Sequence, residues 1–130
     1  MEYELTIGIT THGYRCEWLR DMINGLYHYS EMQFKVIIVD NLSQDNTLSY
    51  LERLAEIKDI EIIRNDENVD DTKGMNQILS VVESEYLLKI DSDTLFTQRG
   101  PVDSIFQQMC TSDVSLIGPY WDLSLRRRKK

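Results

Sequence analysis

Two aspartates one residue apart close an apolar run in "YLLKIDSDTLF", Tyr86 to Phe96. In an extended segment, side chains two positions apart point the same way, so Asp91 and Asp93 can face one point beyond a strand end. Hard carboxylate oxygens suit Mg2+ or Mn2+, and one or two carboxylates plus substrate phosphates is the common Mg2+ arrangement. The competing reading is a turn, where Asp and Ser bond locally to the backbone. A phosphatase-type aspartate nucleophile in a D-x-D-x-T pattern is disfavoured. Thr94 falls one place too early, and the motif belongs on a first strand rather than a fourth.

Other polar clusters also follow apolar runs. "TTHGY" contains Thr10, Thr11 and His12, "DNLSQDN" begins with Asp40, and "NDENVDD" contains Asn68. Asp40 either accepts a hydrogen bond from a base or ribose or closes its own turn. Neither His12 nor His28 has a Cys or Ser partner for nucleophilic catalysis. No G-x-G-x-x-G or Walker A pattern occurs, which disfavours ordinary dinucleotide and P-loop sites. Tyr120 and Trp121 are read as core edge, with sugar stacking as the alternative.

These clusters need a frame that collects strand ends. "LTIGIT", "FKVIIVD", "IEIIR" and "YLLKI" read as strands, the second apolar throughout as in a strand buried on both faces. Between them, "CEWLRDMINGLYHY" places Trp18, Leu19, Met22, Ile23, Leu26 and Tyr27 on one helical stripe. "NTLSYLERLAEI" spaces Leu48, Leu51, Leu54 and Ala55, with Asp45 or Asn46 as cap. "DDTKGMNQILSVV" spaces Met75, Ile78, Leu79 and Val82. "PVDSIFQQM" opens with Pro101 in a first helical turn, and "DVSLIGPYW" reads as a last strand. The alternation predicts a three-layer α/β/α fold with a mainly parallel sheet. Its ligand crevice is expected at the carboxyl ends of the strands, at a topological switch point.

The 130 residues fit one domain, residues 1–125, followed by a basic tail, 126–130, "RRRKK". The net charge is −8 even with the basic tail included, so the body is strongly acidic, which argues against a broad nucleic-acid face. The tail is expected to be a solvated end, with weak contact to acidic lipid as the alternative. No apolar run reaches the ~20 residues of a membrane span, and "MEYELTIGIT" lacks the pattern of a signal peptide. Cys16 and Cys110, with no metal or redox spacing, are expected as buried thiols in a reducing, cytoplasmic setting.

Taken in order, the clusters resemble the N-terminal half of a family 2 glycosyltransferase of the GT-A fold. "VIIVDNLSQDNTLSYL" is similar to the family's V-V-D-D/N-G-S-x-D-x-T segment, "NDENVDDTKGMNQIL" to E-N-x-G-x-x-x-A-x-N-x-G, and "YLLKIDSDTLF" to the strand ending in D-x-D. The resemblance implies a nucleotide-diphosphate sugar donor, commonly a UDP-sugar, with Mn2+ or Mg2+. By position it implies Thr10, Thr11 and His12 along base and ribose, and Asp40 on the base. It also implies Asn68, Lys73 and Asn76 on the nucleotide side, Asp91 at ribose or metal, and Asp93 on the metal. Thr10 stands for the usual Pro and Gly13 for the usual Asn. Asp70 stands where Gly is frequent, so a positive φ there would fall on an aspartate, which visits the left-handed region more readily than most residues.

The family's acceptor half normally follows D-x-D by many tens of residues, so a truncated, donor-side fold is expected here. Asp122 is the candidate base for an unknown acceptor, and a homo-oligomer neighbour or partner subunit would complete the acceptor side. The alternative function is a non-catalytic nucleotide-binding module. A nucleotidyltransferase-like enzyme is disfavoured because "TTHGYR" is a poor Gly-rich basic loop.

Overall fold

In a computed structural model, which describes residues 2–118, the chain folds as four βα units. These are β1 (Leu5–His12), α1 (Cys16–Tyr29), β2 (Lys35–Asn41), α2 (Thr47–Ala55), β3 (Ile60–Asn65), α3 (Asp70–Val81), β4 (Tyr86–Lys89) and α4 (Pro101–Thr111). All neighbouring strands are parallel, in the order β3-β2-β1-β4. This is the expected α/β class.

Alternation along the strands divides the core between two faces. Ile7, Ile9, Val36 and Ile38 face a large cluster built from Leu19, Met22, Ile23 and Leu26 of α1, Leu51 of α2 and Val102 of α4. Ile37 and Val39 face the other way and pack with Ile78 of α3. The chain steps outward from β1 to β2 to β3 and then returns across the sheet to β4. A right-handed crossover running in that reverse direction places its helix on the opposite face, where α3 is the one helix among the described residues. The switch point therefore falls between β1 and β4.

Local chemistry sets the element ends. Pro101 opens α4 behind Gly100, whose φ of 86° lies in the left-handed region that favours glycine. At the start of α2 the capping acceptor is Asp45 rather than Asn46: its Oδ1 accepts from the Thr47 backbone N–H at 3.0 Å.

Four expectations are corrected. Trp18 is 58% exposed, because the buried set Cys16, Leu19, Met22, Ile23 and Leu26 centres the α1 stripe away from it. Leu79 is likewise exposed, one step around α3 from buried Ile78. Cys110 is exposed on α4, whereas Cys16 is buried as expected. Residues 113–118 form no strand; Ser115, Leu116 and Ile117 instead line an apolar groove with Tyr86 and Phe106, without a ladder partner. Tyr120, Trp121, Asp122 and the basic tail lie outside the described residues. Among the described residues, no helix is long and apolar enough to cross a membrane.

Candidate functional site

The ends of β1 and β2 and the segments after β1, β3 and β4 converge on one cleft of about 400 Å³ at the carboxyl edge of the sheet. Its lining comprises Thr10 and His12 at the end of β1 and Arg15 after it, Asn41 at the end of β2, Asn68, Asp70 and Asp71 around the start of α3, and Asp91, Ser92 and Asp93 after β4. The cleft thus sits where a doubly wound sheet leaves a crevice.

Asp91 and Asp93 both reach the cleft, but not as an extended strand. β4 ends at Lys89, and the Thr94 N–H bonds to the Asp91 carbonyl at 3.1 Å, closing a turn over 91–94 with Ser92 buried inside it. The turn and the shared orientation, opposed in the sequence reading, occur together. The loop beyond is anchored where Phe96 packs on Gly25 of α1: a Cβ at Gly25 would lie 3.1 Å from the Phe96 side chain.

The α3 side is built on an unusual backbone. Asp70 has φ 70°, a left-handed conformation at the position where a glycine was the expected alternative. Its carboxylate accepts from the Lys73 N–H at 2.9 Å, and its own N–H donates to Asn68 Oδ1 at 3.0 Å, so the two residues cap the helix between them. Beneath them, buried Asn41 donates from Nδ2 to the Asp70 carbonyl at 3.2 Å and accepts from Asn65 Nδ2 at 2.7 Å. Gln77 of α3 closes this amide network through two 2.8 Å bonds with Asn65. Gly74 lets α3 approach closely: a Cβ there would lie 2.9 Å from Thr10 Cγ2.

Charge in the cleft is one-sided, with four carboxylates lining it against the Arg15 guanidinium. Arg15 makes no ion pair among the described residues. Thr10 donates its hydroxyl to Asp71 Oδ1. Lys89 Nζ lies 2.9 Å from Asp71 Oδ2 and 3.1 Å from Asp91 Oδ1. The Thr10 hydroxyl, followed by Lys89, holds the Asp71 carboxyl below its ordinary pKa, and Asp71 in turn raises that of Lys89.

Of the residues singled out in the sequence, the fold brings Thr10, His12, Asn68, Asp91 and Asp93 together. Asp40 is buried, and its carboxylate accepts from the Ser43 N–H at 3.2 Å and from the Ser43 hydroxyl, which is the turn-closing alternative. Thr11 is buried, and its hydroxyl has no partner among the described residues. Lys73 and Asn76 lie on the exposed surface of α3, outside the cleft lining. Arg15, Asn41, Asp70, Asp71 and Ser92 are lining residues that the sequence reading did not select. The pairing of Asn41 with Asn65 in register at two strand ends was the available signal for the amide network.

Among the described residues, no group of three or more His, Cys, Asp or Glu side chains is placed to hold a metal by itself. The donor set fits a hard divalent ion that takes its remaining ligands from substrate oxygens, because Asp91 and Asp93 offer exposed carboxylates on one cleft.

Comparison with known proteins gives two positive findings. The profile of the family described as "Glycosyl transferase family 2" matches residues 6–119. Among solved structures, the chain is similar to Staphylococcus aureus TarS 1–349, with a TM-score of 0.70 and 21% identity over 83% of this chain and 32% of that one. The complex of TarS 1–349 with UDP-GlcNAc gives a TM-score of 0.70 and 20% identity, over 83% of this chain and 31% of that one. The mannosyltransferase PcManGT from Pyrobaculum calidifontis, in complex with GDP-Man and Mn2+, gives a TM-score of 0.67 and 20% identity, over 76% of this chain and 30% of that one. The chain therefore spans less than a third of each of these structures. No curated protein matches it by sequence.

Proposed function

The chain belongs to glycosyl transferase family 2, and from that premise we propose that its cleft binds the nucleotide diphosphate of a sugar donor, with Mn2+ or Mg2+ held by Asp91 and Asp93. The reaction is transfer of the sugar to an acceptor whose identity lies beyond this half of the site. UDP is the favoured nucleotide, and GDP is the competitor raised by the mannosyltransferase likeness.

The observation that carries this reading is the charge of the cleft. A diphosphate entering among Asp70, Asp71, Asp91 and Asp93 meets an excess of like charge: among the described residues Arg15 is the one cationic residue lining the cleft, and Lys89 is tied to Asp71 and Asp91. Such a cleft suits an anionic donor only when a cation enters with it. When bound, a divalent ion would offset charge on the departing diphosphate, which is Lewis-acid assistance to a leaving group.

The remaining roles belong to side chains. His12, exposed at the end of β1, offers an imidazole face to the base or ribose. Arg15 reaches the cleft from the start of α1 and is assigned to the phosphates, for which a guanidinium is well shaped. Asn68 keeps its amide nitrogen for the ligand while its oxygen caps α3. Asp40 is assigned to hold the loop that flanks the base rather than the base itself. Thr11, Lys73 and Asn76 are given no direct contact.

The test is calorimetric titration of UDP, GDP and CDP with and without Mn2+. Binding of one nucleoside diphosphate that requires Mn2+ is expected. Binding that is indifferent to Mn2+ would favour the alternative of a metal-free nucleotide-binding module.

A further inference from the structure

We propose that Lys89 is a built-in counter-ion that occupies Asp91 until the divalent cation arrives with the donor, and so keeps the cleft from loading cation alone. The inference rests on the donor-site reading given above. It starts from three facts. Lys89 is the last residue of β4, two positions before Asp91, and its ammonium reaches both Asp91 at 3.1 Å and Asp71 at 2.9 Å. Both carboxylates line the cleft. Thr10 holds Asp71 from the other side, so Asp71 is a fixed anchor, whereas Asp91 makes no side-chain hydrogen bond among the described residues other than to Lys89.

This asymmetry decides the order of events. Asp91 can turn away from Lys89 while the ammonium remains bonded to Asp71, because Thr10 buttresses Asp71 and among the described residues only Lys89 holds the Asp91 side chain. A lone divalent ion then meets two costs. It must draw Asp91 from Lys89, and it must sit near a positive charge. When the diphosphate enters as well, its phosphate oxygens add ligands and negative charge, and both costs are offset. Lys89 thereby couples cation and donor, and its own position at the end of β4 does not change.

A merely structural lysine and a competing counter-ion differ in the sign of their removal. Loss of a structural contact loosens the cleft and weakens cation binding. Loss of a competing charge strengthens it. The probe is Mn2+ alone, followed by the electron paramagnetic resonance signal of the free ion, on the whole chain. Lys89→Met is expected to bind Mn2+ roughly fivefold more tightly than wild type, the scale of a unit charge acting on a divalent ion a few ångströms away in a solvated, salt-screened cleft. Lys89→Arg should stay near wild type. The double variant Lys89→Met/Asp93→Asn should lose the gain, which places it at this site. If Lys89→Met fails to fold, Lys89→Gln must show the same gain. Folded Lys89→Met or Lys89→Gln that binds Mn2+ no better than wild type overturns the proposal. The donor-site reading fails separately, if wild type binds no nucleoside diphosphate in the presence of Mn2+.

Discussion

Lys89 Nζ stands between Asp71 Oδ2, at 2.9 Å, and Asp91 Oδ1, at 3.1 Å, so one ammonium ties the first turn of α3 to the turn after β4. The clasp spans the switch point of the sheet, where the two acidic loops face each other across the cleft.

The clasp is predicted to contribute little to stability. Its side chains are 40%, 58% and 71% exposed, and such pairs contribute about 0–1 kcal/mol. Asp71 has a lowered folded pKa, so its share is present above the ordinary 3.8 and is lost as pH falls through the lower folded value. Lys89 has a raised one, so its share is present below 10.5 and is lost as pH rises through the higher folded value. Urea denaturation of Lys89→Met should show a loss below about 1 kcal/mol at pH 7 that shrinks toward zero near pH 2. A loss of several kcal/mol at neutral pH would make Lys89 a determinant of the fold.

Asp70 combines a left-handed φ with a helix cap, and substitutions separate the two. Asp70→Ala keeps a Cβ in the left-handed region and removes the acceptor for the Lys73 N–H, so it should cost about 1–2 kcal/mol. Asp70→Gly relieves the backbone while losing the cap, and should stay within about 1 kcal/mol of wild type. Chemical denaturation of the pair checks this. Equal stability of the two variants would show that φ at this position costs nothing.

Asp40 is predicted to act on the fold before it acts on a ligand. Asp40→Ala strands the Ser43 N–H and hydroxyl that its buried carboxylate accepts from, and should destabilise by about 1–3 kcal/mol. Nucleotide affinity should fall only as far as the loop loosens. Unchanged stability with a tenfold loss of UDP affinity would instead place the carboxylate on the base.

Much of this was legible because it is periodic. β2 is apolar on both faces and α1 carries a clear stripe, so the class of the sheet and the loops at its carboxyl edge followed from spacing. What was not legible depends on pairs remote in sequence. Lys89 looks like a solvent-side strand residue until α3 brings Asp71 beside it. Asp40 left two readings open in the sequence, and its bonds to Ser43, three residues on, are the turn-closing one. The strand-like alternation of residues 113–118 is spent on a groove against Tyr86 and Phe106, because no neighbouring strand offers them a ladder among the described residues.

Gly74 gives a test of the close approach that brings Thr10 to Asp71. A helical Gly→Ala exchange ordinarily gains up to about 1 kcal/mol. Here the new Cβ would lie 2.9 Å from Thr10 Cγ2, and overpacking of that kind costs about 1–3 kcal/mol. The clash should prevail, so Gly74→Ala is expected to lower the thermal midpoint. A raised midpoint would mean that α3 can shift away at little cost.

The most direct measurement for the account as a whole is calorimetric titration of UDP into wild type and Asp93→Asn, each with Mn2+ present. Asp93 is an exposed turn residue, so the variant should keep its fold. The account predicts that Asp93→Asn binds UDP at least tenfold more weakly, about 1.4 kcal/mol, and that the two proteins become alike when Mn2+ is removed. Equal UDP affinity with Mn2+ present would contradict it.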